Sequence, residues 1–113
     1  MKLSLVFLNR IEYLEELLSA FLEIGISGAT VLDSVGMGHI ISENIPIFAG
    51  LRDAFAGSSP VNKLILVIAD DQQVERLEAL LEDIFEGVDE GKPYFLASFS
   101  IDRLAGFNKN NEL

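Results

Sequence analysis

The chain has 113 residues, of which 50% are hydrophobic and 23% are charged, a composition typical of one folded domain and not of a disordered segment. Eighteen acidic residues against eight basic ones give a net charge of −10, which repels phosphate backbones and anionic headgroups and excludes nucleic acid as an expected partner. The sequence has no cysteine, which excludes disulfides, thiolate metal ligands and cysteine nucleophiles.

The first apolar segment is short. Leu3 to Leu8 follow a single lysine, and a run of this length is too short for the core of a signal peptide and far below the roughly 20 residues of a membrane span. The absence of cysteine fits a reducing compartment. We therefore expect a cytoplasmic protein with no membrane insertion.

The first half of the chain predicts a strand, a helix and a second strand. Apolar residues alternate over Leu3–Leu8, as in a strand. The period then becomes helical, with Gly25 where a C-cap would stand. Ala29 to Val35 predict a second strand that stops at Gly36. The apolar stripe of the predicted helix consists of Ile11, Leu14, Leu18, Phe21 and Leu22.

A long connection runs from Met37 to Asn62. After Pro46, apolar residues at helical spacing, with two charged residues between them, predict a short amphipathic helix. Such a stripe packs on its own domain, docks a partner or closes a ligand cleft, and loops of this length carry function disproportionately. The candidate partner-binding residues are Phe48, Leu51, Arg52 and Phe55.

The second half repeats the plan of the first. Lys63–Ala69 predict a strand, and Asp70-Asp71 offer an N-cap to a second helix. A fourth strand, Tyr94–Phe99, follows the turn region 87–93. Residues 1–107 form one predicted domain, and 108–113 a frayed polar tail. The stripe of the second helix lies 63 residues after that of the first, and consists of Val74, Leu77, Leu81, Ile84 and Phe85.

Two βαβ halves predict an α+β, ferredoxin-like βαββαβ fold, in which an antiparallel four-stranded sheet carries two helices on one face. The first and third strands are apolar on both faces, so the helix-free face would be an exposed apolar patch. Soluble monomers seldom expose such a patch. Another subunit is the expected cover, and the chain's own loop and tail are the alternative.

The segment Gly28–Gly38 reads GATVLDSVGMG, and it combines a Gly-x-Thr-Val strand start with a Gly-x-Gly strand exit. It resembles the nitrogen-regulatory PII signalling proteins and the broader PII-like group. The third-strand exit Val67–Asp71, with Val74-Glu75 after it, is similar to the family pattern, and so is Gly91-Lys92 before the fourth strand. In element order and spacing the resemblance reaches Gly106.

The resemblance implies a ferredoxin-like subunit in a compact homotrimer whose sheets face inward, with ligand clefts between neighbouring subunits. In classical PII proteins an adenine nucleotide occupies this cleft, and a long loop between the second and third strands binds the target. The implied function is signal transduction in nitrogen regulation. A small-molecule effector, which is a nucleotide or another small anion, would control a target enzyme or membrane transporter through residues 37–62. The candidate ligand-binding residues are Thr30, Gly36, Met37, Gly38, His39, Lys92 and Arg103.

Glycine permits positive φ and close approach, so Gly36 and Gly38 could present N–H groups to a phosphate or carboxylate; a plain strand-exit turn is the alternative. Thr30 could hydrogen-bond a base or a neighbouring backbone group, or be a simple strand former. Asp33 has no second carboxylate at catalytic spacing and is expected to be solvated.

Three departures from the classical pattern reduce the expected charge of the ligand. His39-Ile40 stand where the family has an Arg-Gln pair, the turn before the fourth strand is acidic except for Lys92, and the paired arginines of the tail reduce to Arg103. We expect weak or no ATP binding. A monophosphate or diphosphate nucleotide, a cyclic dinucleotide or a small carboxylate requires fewer cations.

The residue inventory predicts that the protein is not an enzyme. It has one histidine, no cysteine, no His-Glu metal spacing, no phosphate-loop lysine motif and no nucleophile elbow. A metal site is not expected. An ACT-like amino-acid-binding module or a purely structural ferredoxin-like oligomer is the alternative, because this fold has many functions.

Overall fold

The computed structural model describes residues 1–44, 62–88 and 92–107. The predicted tail 108–113 and the candidate partner-binding residues Phe48, Leu51, Arg52 and Phe55 lie outside the described residues. The strands are β1 (Lys2–Leu8), β2 (Ala29–Ser34), β3 (Asn62–Ala69) and β4 (Tyr94–Ser100). The α-helices are α1 (Leu14–Glu23), which follows a 3₁₀ turn at Ile11–Tyr13, α2 (Met37–Asn44) and α3 (Asp71–Ile84).

The four strands form one antiparallel sheet in the order β2-β3-β1-β4. Helices α1 and α3 contribute to the same buried cluster as one face of β1 and β3, so both helices cover a single face of the sheet. The predicted α+β class, the antiparallel four-stranded sheet and the pair of helices on one face are confirmed. Helix α2 stands between β2 and β3, so the element order has one helix more than the predicted βαββαβ order.

The core lies between the sheet and the two helices. Its largest fully buried side chains include Phe21 of α1 and Leu77 of α3. Ser4 is also fully buried, and its hydroxyl lies 2.8 Å from that of Ser98, so this polar group keeps a hydrogen-bond partner. The strands supply Val6, Leu8, Ile65, Val67 and Ala69, and the helices supply Leu17, Phe21, Val74, Leu77 and Leu81.

The first helix departs from its predicted stripe. Its buried residues are Leu17 and Phe21, whereas Leu22 is 63% exposed and Ile11 belongs to the 3₁₀ turn. The helix begins late because its first turn bonds i to i+3: the Tyr13 N–H donates to the Arg10 carbonyl at 3.0 Å. The predicted stripe of α3 is confirmed, with all its members buried or half-buried.

Helix α1 ends close to the glycine at which the sequence predicted its end. Gly25, at φ +83°, donates to the Leu22 carbonyl, and the N–H of Ile26 donates to the Phe21 carbonyl at 2.8 Å. These two bonds form a Schellman motif, and Ile26 and Phe21 are both buried beside it. The C-cap itself is Ile24, so the predicted end of the helix at Gly25 is confirmed to within one residue.

Helix α3 begins with a capping box. The Asp70 carboxylate accepts the N–H of Gln73 at 2.8 Å, and the Gln73 side chain accepts the N–H of Asp70 at 3.1 Å. The Gln73 amide also donates to the Gly25 carbonyl at 2.9 Å, which ties the start of α3 to the end of α1. The predicted N-cap is thus Asp70.

The helix-free face of the sheet is apolar, as the sequence predicted. Phe7 and Phe95 contact each other across it, with ring centroids 5.6 Å apart. On the strands as the structure describes them, this face has no charged side chain. By register it comprises Leu3, Leu5, Phe7, Thr30, Leu32, Ser34, Asn62, Leu64, Leu66, Ile68, Phe95, Ala97 and Phe99. None of the helices described here has the length and apolarity to cross a bilayer.

Candidate functional site

Four candidate ligand-binding residues lie together where β2 passes into α2. The Gly36 carbonyl accepts the N–H of Ile40 at 3.2 Å, so the helix begins immediately after Gly36. Met37, Gly38 and His39 form its first turn, and N–H groups at this position of a helix have no acceptor inside the helix. The Met37 side chain is 70% exposed. At this edge of the sheet, the backbone N–H groups of the first turn and the positive end of the helix dipole therefore favour an anionic ligand.

A positive φ is not the reason for glycine at these positions. Neither Gly36 nor Gly38 has a positive φ, and Gly38 lies within α2, in a segment predicted to be a loop. A Cβ at Gly36 would lie 3.5 Å from the side-chain nitrogen Nδ2 of Asn62, which is an ordinary van der Waals distance. The absence of a side chain leaves room beside the backbone, but the backbone conformation does not require glycine.

Two polar side chains near this junction were not predicted. The Lys63 ammonium donates to the Asp33 carboxylate across the β2–β3 pair, so Asp33 is exposed to solvent, as expected, and is also ion-paired. Asn62, opposite Ser34, has a buried side-chain oxygen without a hydrogen-bond partner in the described structure. Lys63 could have been identified only from the strand register, which places it opposite Asp33.

Lys92 lies at the other edge of the sheet. It precedes β4, is exposed, and its carbonyl accepts a hydrogen bond from the Asn9 side chain at 2.5 Å. The N–H of Asn9 donates to the Pro93 carbonyl at 2.9 Å, which fixes this turn against the end of β1. Lys92 therefore has a defined backbone position and a side chain in solvent.

Within one chain the candidate residues form separate groups. The registers Ser34–Asn62, Lys63–Leu8 and Leu8–Tyr94 place the β2–α2 junction and Lys92 at the same end of the sheet. However, β2 and β4 are opposite edges, separated by three strand spacings, or about 14 Å.

The other two candidates lie elsewhere in the chain. Thr30 is the second residue of β2, opposite Leu66, and its side chain is on the helix-free face. Arg103 is exposed and follows β4 at the far end of the sheet, where the Ile101 N–H donates to the Met1 carbonyl.

A groove of about 610 Å³ lies beside β4 on the side of α3. The carboxylates of Glu78 and Glu82, one helical turn apart, form one wall, and Tyr94, Leu96 and Ser98 of β4 form the other. Sequence reasoning did not single out this groove. Its carboxylates disfavour an anion there, and no group of three or more potential metal ligands occurs among the residues described.

No protein-family model matches this chain, and no curated protein matches it. The resemblance to the PII-like group therefore depends on the Gly28–Gly38 motif, the order of the elements and the positions of the candidate residues.

Proposed function

We propose that this protein is a PII-like signal-transduction protein with a ferredoxin-like subunit. It binds a small anionic effector between neighbouring subunits and regulates a target enzyme or membrane transporter, in nitrogen regulation, from the cytoplasm. The antiparallel sheet, with two helices on one face, supports the ferredoxin-like assignment. Helix α2 is then an addition at the start of the segment 37–62 that contacts the target.

The observation that carries the proposal is the separation of the candidate residues into groups at opposite sheet edges. A small anion such as bicarbonate or a carboxylate is too short to contact both the β2–α2 junction and Lys92 of one chain, because about 14 Å of sheet separates them. In a head-to-tail ring, one edge of each copy faces the other edge of the next. The two groups then form one cleft, with an α2 N-terminus from one copy and Lys92 from its neighbour.

The helix-free face supports a homotrimer with its sheets inward. This face is apolar and lacks charged side chains on the described strands, whereas the helix layer carries acidic residues such as Glu15, Glu75 and Glu82. Packing the sheets inward removes the apolar face from water and leaves the carboxylates solvated on the outside.

The charges near the cleft favour a ligand with little negative charge. Lys63 is already paired with Asp33, so its ammonium is partly neutralised. Lys92 is then the main cation, with the first-turn amides of α2. An adenine monophosphate or diphosphate, a cyclic dinucleotide or a small carboxylate fits this set, and ATP binds weakly or not at all.

Titration calorimetry with ATP, ADP, AMP, a cyclic dinucleotide, bicarbonate and amino acids tests the proposal. We expect one of the smaller anions to bind with higher affinity than ATP. Lys92→Ala should weaken that binding about 10- to 100-fold, the effect of losing one charge-assisted contact. Lys2→Ala is the matched control, because Lys2 is a lysine at the far end of the sheet, paired with Ser100 and Asp71.

Three results would contradict the proposal. ATP binding in the low micromolar range would mean that other residues supply the missing charge. Selective binding of an amino acid would support the ACT-like alternative. An oligomer that binds none of these compounds would support the structural alternative.

A further inference from the structure

The helix side of β4 is only partly covered. By register, Tyr94, Leu96 and Ser98 lie on the same side of the sheet as the fully buried residues of β1. Ser98 is nevertheless exposed, and Tyr94 and Leu96 are half-buried. Ser4, which is opposite Ser98 on β1, is completely buried. The helix layer therefore covers β1 more completely than β4 and leaves a strip of β4 accessible from the helix side.

A groove of about 610 Å³ lies over this strip. Its floor extends from Tyr94 to Ser98, a distance of about 13 Å along an extended strand. Glu78 and Glu82 of α3 form its wall. A second depression, of about 420 Å³, is also lined by Glu82 and extends to Glu86. The two depressions are therefore adjacent, and we call them together the β4–α3 groove.

The wall of the β4–α3 groove is acidic, whereas its floor is uncharged. Glu78, Glu82 and Glu86 are spaced four residues apart, so they lie along one side of α3 over roughly 12 Å. All three residues are exposed, and none has an ion-pair partner within the described parts of the chain. Strand β4 contains no charged residue. The charge of the groove therefore favours a positively charged occupant.

An extended peptide matches the groove in length and in the arrangement of its side chains. Four or five residues of extended chain span about 13 Å, and their side chains alternate between two sides. One set of side chains can pack on Tyr94 and Leu96, while lysine or arginine in the other set is long enough to reach the carboxylates. A small organic cation covers only part of this length. The described residues also offer no set of three potential metal ligands.

We infer that the β4–α3 groove docks an extended basic segment of a partner protein. Lysine or arginine side chains of this segment pair with Glu78 and Glu82, and its apolar side chains pack on Tyr94 and Leu96. The groove opens on the helix side of the sheet, which the proposed trimer turns outwards. Its charge preference is opposite to that of the proposed effector site. The inference therefore goes beyond the proposed function and does not depend on the effector.

Fluorescence anisotropy with a labelled peptide of about eight residues, in which lysine and valine alternate, tests this inference. The double variant Glu78→Gln/Glu82→Gln should bind the peptide about 10-fold more weakly than the wild type, because two exposed ion pairs are lost. Glu15→Gln/Glu16→Gln is the matched control. It removes the same charge from exposed positions of α1, and should change the affinity less than about 2-fold.

A second peptide and a second measurement separate docking in the groove from general attraction to an acidic protein. A peptide of the same composition, with all its lysines at one end, should bind the wild type more weakly than the alternating peptide. In NMR titrations, the alternating peptide should shift the amide signals of β4 and of the second half of α3 more than those of α1.

Four results would overturn the inference. They are the absence of binding to the wild type, equal losses of affinity in the two double variants, equal affinity for the two peptides, and amide shifts confined to other elements. Tighter binding of a linear polyamine than of the alternating peptide would assign the groove to a small organic cation and would also overturn it. None of these results bears on anion binding, so the proposed function is tested separately.

Discussion

Gly25 ends α1 in a backbone conformation that other residues adopt at a cost. Its φ of +83° allows the Schellman hydrogen bonds, which bring Ile26 back onto Phe21 in the core. The sequence predicted this position because glycine follows an amphipathic stripe. Gly36 shows the limit of such reasoning, since the sequence suggested a positive φ for this glycine and the structure does not give it one.

Gly25→Ala should therefore lower the free energy of unfolding by about 1–2 kcal/mol, the cost of a left-handed alanine. Gly36→Ala is the matched control and should change stability by less than about 0.5 kcal/mol, because its Cβ meets only an ordinary contact at 3.5 Å. Urea unfolding monitored by circular dichroism measures both. Equal losses in the two variants would mean that the φ at Gly25 is not the source of the effect.

Among the helices, α3 has both local and tertiary reasons to begin where it does. The Asp70–Gln73 capping box satisfies its first N–H groups, and the same Gln73 holds the end of α1 through the Gly25 carbonyl. In contrast, α2 was not predicted. One glycine directly precedes it and another is its second residue, and nothing in the local sequence marked the residues after Gly36 as helical.

Asp70→Ala should cost about 1 kcal/mol of stability through loss of the N-cap. Gln73→Ala should cost more than an ordinary surface substitution, since it removes both half of the capping box and the bond to Gly25. Gln72→Ala, at an exposed neighbouring position of α3, is the control. Thermal unfolding compares the three variants, and a Gln73→Ala effect no greater than that of Gln72→Ala would show that the link between the helices is not stabilising.

At the scale of the whole molecule, charge and apolar surface are segregated. The net charge is −10, yet the helix-free face has no charged residue on the strands described here, so like-charge repulsion opposes association while the apolar face drives it. The repulsion is long-range and depends on ionic strength. Burial of the apolar face depends much less on it.

Self-association should therefore strengthen with salt. Raising the ionic strength from about 0.01 M to about 0.15 M shortens the screening length from roughly 30 Å to roughly 8 Å and weakens the repulsion between acidic copies. Sedimentation equilibrium over a concentration series should show tighter association at the higher salt. Weaker association at higher salt would indicate an interface built on ion pairs rather than on the apolar face.

The sequence by itself determined the class, the strand positions, the α3 stripe and the helix ends at Gly25 and Asp70. These features depend on residues close together in the chain, whose periodicity and capping preferences act locally. The sequence also predicted the apolar helix-free face, because apolar residues at alternating positions of β1 and β3 can be recognised without the fold.

Only the tertiary structure decided the rest, because the order of the strands is set by pairing between distant segments. Strand order placed Lys92 and the β2–α2 junction at the same end but at opposite edges of the sheet, and register joined Lys63 to Asp33. Packing also centred α1 on Leu17 and Phe21 and left Leu22 in water. Such contacts join residues far apart in sequence, so neither composition nor spacing contains them.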